Sequence, residues 1–431
     1  MKKILIISCF TLPADVIASY RTMAYLKHFK TFGYEPTVLT HYGGMKAQKE
    51  VTFEDYEYGR IIRIPNEPSL FGNIVRLFER IPIINKISIL ARWAMGYLDA
   101  SSDSIDSYYN MKAYCVNLLD IRQYDLMIGI FSPHHHLKLC YQLHMRFQIP
   151  YVLDFRDLWS NRIMARNYHP NITERFQDLL DGYYWKKWLS KALFFTITSE
   201  PWKARLERLT PVKGYLITNG FEEESFTLQP SELHDEFVVL HAGSLYEHQK
   251  INIFLAGVKQ FIETCKPINF KVKFIGGDRS SGIEGDRFGF MHAPVKRIRR
   301  YLNADYCDVT HRVDKKIILR MMSSSQLLLF LGHSEIEGWY SGKIFDYLAS
   351  RRPILLVPDD SSVVSKLIKE TKSGFIANTP ERVYMCLQLA YSQWKANGNF
   401  RYSGDEEEIL KYSRKSQVKN MSALLDKHLI S

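Results

Sequence analysis

The sequence predicts an α/β chain built from two doubly wound, Rossmann-like domains. Three observations predict it. Short β-rich apolar runs alternate with longer amphipathic segments, the order expected of parallel sheets covered on both faces. That alternation stops at one polar stretch and then starts again. The length of 431 residues, 46% of them hydrophobic, supplies more core than one domain needs.

The first run, "KILIIS" (3–8), reads as a buried strand, and "IASYRTMAYLKHFKTFG" follows with helical spacing and closes on Gly33 as a C-cap. "PTVLT" (36–40), "RIIRI" (60–64), "YDLMIGIF" (124–131), "YVLDF" (151–155), "ALFFTIT" (192–198) and "GYLIT" (214–218) continue the strand series. The polar stretch "FEEESFTLQPSELHDE" (221–236) interrupts it. "FVVLHAG" (237–243) opens a second series with "KVKFIGG" (271–277), "LLLFLG" (327–332) and "PILLVP" (353–358). The expected domains are 1–220, 221–395, and a C-terminal helical segment, 396–431, returning toward the first domain. Ligands of open α/β sheets sit beyond the carboxyl ends of the strands, so two such domains are expected to face each other across a cleft.

The formal net charge of +11 suits an anionic partner, such as a phosphorylated small molecule, a membrane surface or nucleic acid. Cys9, Cys115, Cys140, Cys265, Cys307 and Cys386 show no C-x-x-C spacing and read as free thiols of a reducing compartment. The apolar run in "MKKILIISCF" falls short of the roughly 7–15 residues of a signal-peptide core. No stretch approaches the roughly 18 apolar residues of a spanning helix. Location is therefore expected to be cytoplasmic. The basic, aromatic mixture at 183–203 reads as a helix and a strand, so no nucleic-acid partner is expected.

"EGWYSGKIFDYLASRRPILLVPDD" (337–360) carries the clearest chemistry. If Ser341 caps a helix from Gly342 to about Ser350, the free N–H groups of its first turn and the Lys343 ammonium make a diphosphate site in outline. Gly342 lets a ligand approach the backbone. Asp346, three residues on, shares the Lys343 face and is placed to accept hydrogen bonds from ribose hydroxyls. A surface Lys–Asp pair would leave the same trace.

These residues resemble the donor-binding segment of family-4 retaining glycosyltransferases with the GT-B fold. Other signatures follow in the family's order. "SPHHH" followed by "IPYVLDFRDLW" resembles the "SPPHS…IP…DFRDPW" block of a bacterial polysaccharide-type branch. "LITNGFEEESF" resembles the domain crossover, and "VVLHAGSLY" the first strand of the second domain. The resemblance spans most of residues 1–380. It implies that Asp346 in "FDYLA" takes the ribose, as the Glu of "FEYLA" does. Glu337 becomes a candidate for the donor sugar, though the family's two acids stand eight apart and the residue eight after Glu337 is Phe345. Where many members carry Arg and Lys on the phosphates, this chain has Ser244 and Lys250. Where members carry Gly-Gly after the first strand, it has Ala18, Ser19 and Arg21 to line that loop, which puts Ser19 and Arg21 on the acceptor side.

His135 aligns with the family His that lies against the donor sugar, where a neutral imidazole can bond a hydroxyl and steady oxocarbenium charge. Adjacent side chains in His134–His135–His136 are expected to diverge, so the run is not read as a metal site. "DFRDLW" puts Asp154, Arg156 and Asp157 at a strand end, as an ion pair or as acceptor-positioning groups. No D-x-D occurs, and the resemblance implies chemistry without metal or cofactor, the nucleotide-sugar being a substrate.

Residues 70–98 are apolar, with Arg76, Arg80, Lys86 and Arg92 interspersed, Glu79 the one acid, and Pro82 dividing two amphipathic pieces. They read as core-packing helix or as a face for the anionic inner membrane. The expected activity is a metal-independent, retaining, hexosyltransferase-like transfer from a nucleotide-sugar to a saccharide or lipid-linked saccharide, in cell-surface polysaccharide synthesis. A nucleotide-sugar epimerase or phosphorylase on the same fold, or a non-catalytic sugar-nucleotide-binding protein, stays open beside it.

Overall fold

A computed structural model describes all residues except 15–16, 42–48, 100, 159–164, 166, 168, 228–234, 246–248, 277–292, 399, 401 and 430–431. The chain divides into two compact units: residues Met1–Asn219 with Arg414–Ser431, and residues Gly220–Ser413.

Unit 1 holds an eight-stranded sheet in the order β3-β4-β2-β1-β5-β6-β7-β8. Its strands are β1 (Lys2–Ile7), β2 (Tyr34–His41), β3 (Thr52–Tyr56), β4 (Gly59–Ile64), β5 (Leu126–Phe131), β6 (Tyr151–Phe155), β7 (Phe195–Ile197) and β8 (Gly214–Leu216). Ile4 to Ile7 of β1 are fully buried and pair in parallel with β2 on one side and β5 on the other. That burial on both faces is why the run is apolar without alternation. The exception to parallel pairing is β3, an antiparallel edge against β4. Its sequence, "TFEDY", is acidic and mostly exposed, so it carries no strand pattern a reader would pick up.

Helices α1 (Ile17–His28) and the C-terminal helix Arg414–Leu429 pack on one side of this sheet. Val418, Met421 and Leu425 join the core of Ile4, Ile6, Leu26 and Ile128. Thr218 donates its N–H to Gln417 at 2.8 Å, and the Tyr34 hydroxyl bonds Asp426 at 2.5 Å. Helices α2 (Leu70–Glu79), α3 (Pro82–Ala94), α4 (Ser102–Asn117), α5 (His134–Phe147) and α6 (Ile172–Leu189) also belong to this unit. Pro82 stands at the start of α3, where its missing N–H costs nothing.

Unit 2 holds a six-stranded, wholly parallel sheet in the order β11-β10-β9-β12-β13-β14. Its strands are β9 (Phe237–Ala242), β10 (Phe270–Ile275), β11 (Cys307–Thr310), β12 (Leu327–Leu331), β13 (Ile354–Val357) and β14 (Gly374–Ile376). One face packs on Phe254, Val258, Val383 and Leu387, the other on Ile344, Phe345, Leu348 and Leu367. Strand order reverses at β1/β5 in unit 1 and at β9/β12 in unit 2, the places where doubly wound sheets bind ligands.

Candidate functional site

In unit 2, the site grows from the end of β9. His241 is the one polar side chain of that strand and is fully buried. Its Nδ1–H donates to the Leu329 carbonyl at 3.0 Å, which leaves Nε2 as an acceptor facing the Lys343 ammonium at 3.3 Å. Burial, and next the charge of Lys343, hold His241 well below the usual histidine range, so it is neutral. Lys343 is half-buried, and loss of water around its ammonium lowers its pKa to about 8. Among the described residues it has no carboxylate partner.

Gly243, two residues after His241, takes φ +118, and a Cβ there would stand 2.8 Å from Lys343 Nζ and 2.9 Å from its Cε. Glycine is thus what lets the lysine pass over the strand end. The helix that carries Lys343 (residues Lys343–Ala349) is anchored by Tyr347, whose hydroxyl accepts from Ala242 N–H at 2.9 Å and donates to Leu329 carbonyl at 3.2 Å.

Several expected residues stand differently. The Ser341 hydroxyl does not cap this helix. The cap position is Gly342, already helical at φ −55, and the first turn closes on the carbonyls of Ser341 and Gly342. Asp346 does not stand free beside Lys343; it pairs with Lys315 at 2.5 Å. Lys250 is exposed and paired with Glu335 at 3.4 Å and Ser334 at 3.2 Å. Ser244 and Glu337 are half-buried. Glu337 precedes Gly338, which takes φ +81 and donates its N–H to Ser362 Oγ at 3.0 Å.

In unit 1, polar groups gather at the ends of β1, β2, β5 and β6. Arg21 and Asp154 were candidates for the acceptor side, but they do not line a surface. They form a buried bidentate pair at 2.8 and 2.6 Å. Asp154 also accepts from Tyr25 at 2.9 Å and Thr196 at 2.6 Å, while Arg21 donates to the carbonyls of Ile217 and Thr218, both at 3.0 Å. Their hydrogen-bonding capacity is spent on joining α1, β6, β7 and the chain after β8. Ser19 is fully buried as well. Arg156 and Asp157 remain partly exposed and pair at 2.9 Å.

The three adjacent histidines separate into two groups. His134 turns to Asp99, its N–H and Nδ1 each 2.8 Å from that carboxylate. Burial works most strongly against its charged form, but the charge and hydrogen bond of Asp99, with the charge of Asp181, together raise its pKa. His135 and His136 do not diverge. His135 Nε2 lies 3.0 Å from Ser107 Oγ and 3.9 Å from Cys9 Sγ, and its Nδ1 lies 3.1 Å from Ser104 Oγ. His136 Nε2 lies 3.2 Å from the same sulfur, and its Nδ1–H donates to the Ile130 carbonyl at 2.8 Å. Burial lowers both, His136 to about 4. His41 joins through Ser107 Oγ at 2.5 Å.

Sequence reasoning missed His241, Cys9, His41, Asp99, Ser104 and Ser107. A lone polar residue in "FVVLHAG" was a usable signal for His241. Nothing local marks the others, because their partners lie far away in the chain.

No protein-family model and no curated protein matches the chain. Solved structures do. A sucrose-phosphate synthase from Thermosynechococcus elongatus superposes with a TM-score of 0.63 at 15% identity over 99% of each chain. An alpha,alpha-trehalose-phosphate synthase (UDP-forming) from Burkholderia vietnamiensis gives 0.61 at 11% over 100% of each. A glycosyltransferase from Rickettsia africae gives 0.59 at 12%, covering 99% of this chain and 98% of that one. The fold is GT-B, with its two doubly wound Rossmann-like units.

Proposed function

We propose that the protein is a glycosyltransferase that moves a sugar from a nucleotide-sugar donor to a saccharide or lipid-linked saccharide acceptor, with retention of configuration and without metal. The observation that carries this is the Lys343 ammonium, held by neutral His241 over Gly243 at the switch point of unit 2, with no carboxylate partner among the described residues. A partly desolvated cation without an acid is suited to a phosphate, whose charge-assisted bonds are the strong kind. Proteins with this fold include a UDP-forming synthase and a sucrose-phosphate synthase, whose names point to sugar transfer.

In the reaction, an acceptor hydroxyl forms a bond to the anomeric carbon from the face the diphosphate leaves, the bond from that carbon to the diphosphate oxygen breaks, and the hydroxyl proton passes to that departing oxygen. Lys343 stabilises the charge growing on the leaving diphosphate. Lys250 adds to it by leaving Glu335, a surface pair worth little. Ser244, Ser341 and Gly342 contribute polar contacts, and Asp346 takes the ribose in exchange for Lys315. Glu337 is assigned to the donor sugar, and Arg156 and Asp157 to the acceptor; His135, expected on the donor sugar, has both ring nitrogens on Ser104 and Ser107 and takes no part in the step.

A lipid-linked acceptor, cell-surface polysaccharide as the product class, and a position on an anionic inner membrane are the finer parts of this reading. Their support is the surface of α2, α3 and α6. Leu77, Phe78, Ile83, Ile84, Ile87 and Leu90 are exposed on the first two, with Arg80 and Lys86 between them. Ile172, Phe176, Leu179 and Tyr183 form an exposed stripe on the third, which touches α3 through the Tyr184 hydroxyl on the Ala94 carbonyl. Apolar side chains flanked by cations suit a headgroup boundary. Among the described residues, no helix is long and apolar enough to cross a membrane.

The test is a thermal-shift panel of UDP-, GDP-, ADP- and TDP-sugars, followed by acceptor trials and NMR of the product anomer. One donor should raise Tm, as a native-state ligand does. Absence of a shift from all four would remove the reading.

A further inference from the structure

Cys9 follows β1, and His135 and His136 open α5, so neighbouring strand ends bring a thiol and two imidazoles together across more than a hundred residues of chain. Their ligand atoms all lie within 4.8 Å of one another. Each imidazole turns its Nε2 inward for a stated reason. The His136 Nδ1–H is taken by the Ile130 carbonyl at 2.8 Å. His135 Nδ1 faces Ser104 Oγ at 3.1 Å and the Asp99 carboxylate at 3.9 Å, which favours the proton on Nδ1. His41 Nδ1 faces the Ile64 carbonyl at 3.4 Å, which aims its Nε2 at Ser107.

Three Nε2 lone pairs, on His41, His135 and His136, meet two donors, the Ser107 hydroxyl and the Cys9 thiol. Ser107 has one proton for two nitrogens. With the His135 proton on Nδ1, Ser107 can donate to only one of His41 and His135, and a cation would take the lone pair left over.

We propose that Cys9, His135 and His136 bind a zinc ion. Tetrahedral zinc, with Zn–S about 2.3 Å and Zn–N about 2.0–2.1 Å, sets its ligand atoms about 3.4–3.6 Å apart. Cys9 Sγ stands 3.2 Å from His136 Nε2 and 3.9 Å from His135 Nε2, so small side-chain shifts complete the three contacts. A thiolate with two imidazoles is a zinc donor set, and the Ile130 carbonyl and Ser104 hydroxyl are the outer partners that fix such histidines. The fourth position faces Ser107 Oγ. On binding, the Cys9 thiol loses its proton to solvent, the Ser107 hydroxyl keeps its proton and donates it as a hydrogen bond to His41 Nε2, and one proton is released per zinc. The inference is separate from the sugar-transfer reading, because its readouts need no sugar.

The full chain, stripped with EDTA, is titrated with zinc against a chromophoric chelator, and with cobalt for its thiolate-to-metal charge-transfer band. Expected are one zinc per chain, a cobalt–thiolate band, and at least tenfold weaker binding in Cys9→Ser and His136→Ala. His134→Ala, whose imidazole faces Asp99, should keep the affinity. Alkylation of the wild-type chain needs no variant: zinc should slow iodoacetamide at Cys9 and leave the half-exposed Cys265 unchanged. No stoichiometric binding, no thiolate band, or equal protection of Cys9 and Cys265 would overturn the proposal.

Discussion

Gly243 and Lys343 show how one residue's missing side chain sets another's position. A Cβ at Gly243 would meet the lysine tip at 2.8 Å on a backbone of φ +118. Gly243→Ala should therefore lower stability by about 1–2 kcal/mol and weaken donor binding; denaturant melts and calorimetry measure the two effects. The Arg21–Asp154 pair belongs to the interior. Breaking a buried, fully bonded pair leaves one charge alone, so Asp154→Ala should cost about 3–5 kcal/mol in urea unfolding. A loss under 1 kcal/mol would contradict the buried reading. The histidines set the acid limit. His41 and His136 are lowered by burial to about 4, and His135 and His241 well below the usual 6.5. Below pH 6.5 the unfolded chain takes up protons that these native sites refuse, so their contribution falls as pH drops. His134 has the opposite sign: its raised pKa gives stability complete below the unfolded value and lost as pH rises through the folded one. His428 is lowered by burial too, so five groups outweigh one and Tm should fall between pH 7 and 5; a Tm that holds or rises toward acid would refute this balance.

At the scale of elements, the apolar strands were legible because parallel strands buried on both faces leave unbroken apolar runs, as "ILII" (4–7), "LLLFL" (327–331) and "ILLV" (354–357) do. The strands Cys307–Thr310 and Gly374–Ile376 were not, since four and three residues carry no period. The local Gly-Lys context singles out Lys343 in the sequence, and the structure sets its ammonium 3.3 Å from His241 at the end of the strand Phe237–Ala242. The partner His241 and the Cys9–His136 contact were not legible, since pairs separated by about a hundred residues or more leave no local trace. The α2–α3 pair makes its own prediction. Ile83 and Ile87 are exposed one turn apart on α3, so replacing both with Ser should leave Tm nearly unchanged. The same change should abolish flotation with anionic liposomes at low salt. Flotation equal to wild type would remove the membrane face.

For the whole molecule, a net charge of +11 and a partly desolvated lysine at the unit 2 switch point, with no carboxylate partner among the described residues, are the grounds for proposing an anionic donor. A pKa of about 8 means the Lys343 ammonium is lost as pH climbs from 7 to 9, so donor affinity should decline across that range. The most direct measurement is calorimetric titration at pH 7 of the nucleotide-sugar that most raises Tm, into the wild-type chain and into Lys343→Ala. One charge-assisted contact of about 1.5–3 kcal/mol predicts about 10- to 150-fold weaker binding in the variant. Affinities within twofold of each other would contradict the claim that Lys343 holds the diphosphate.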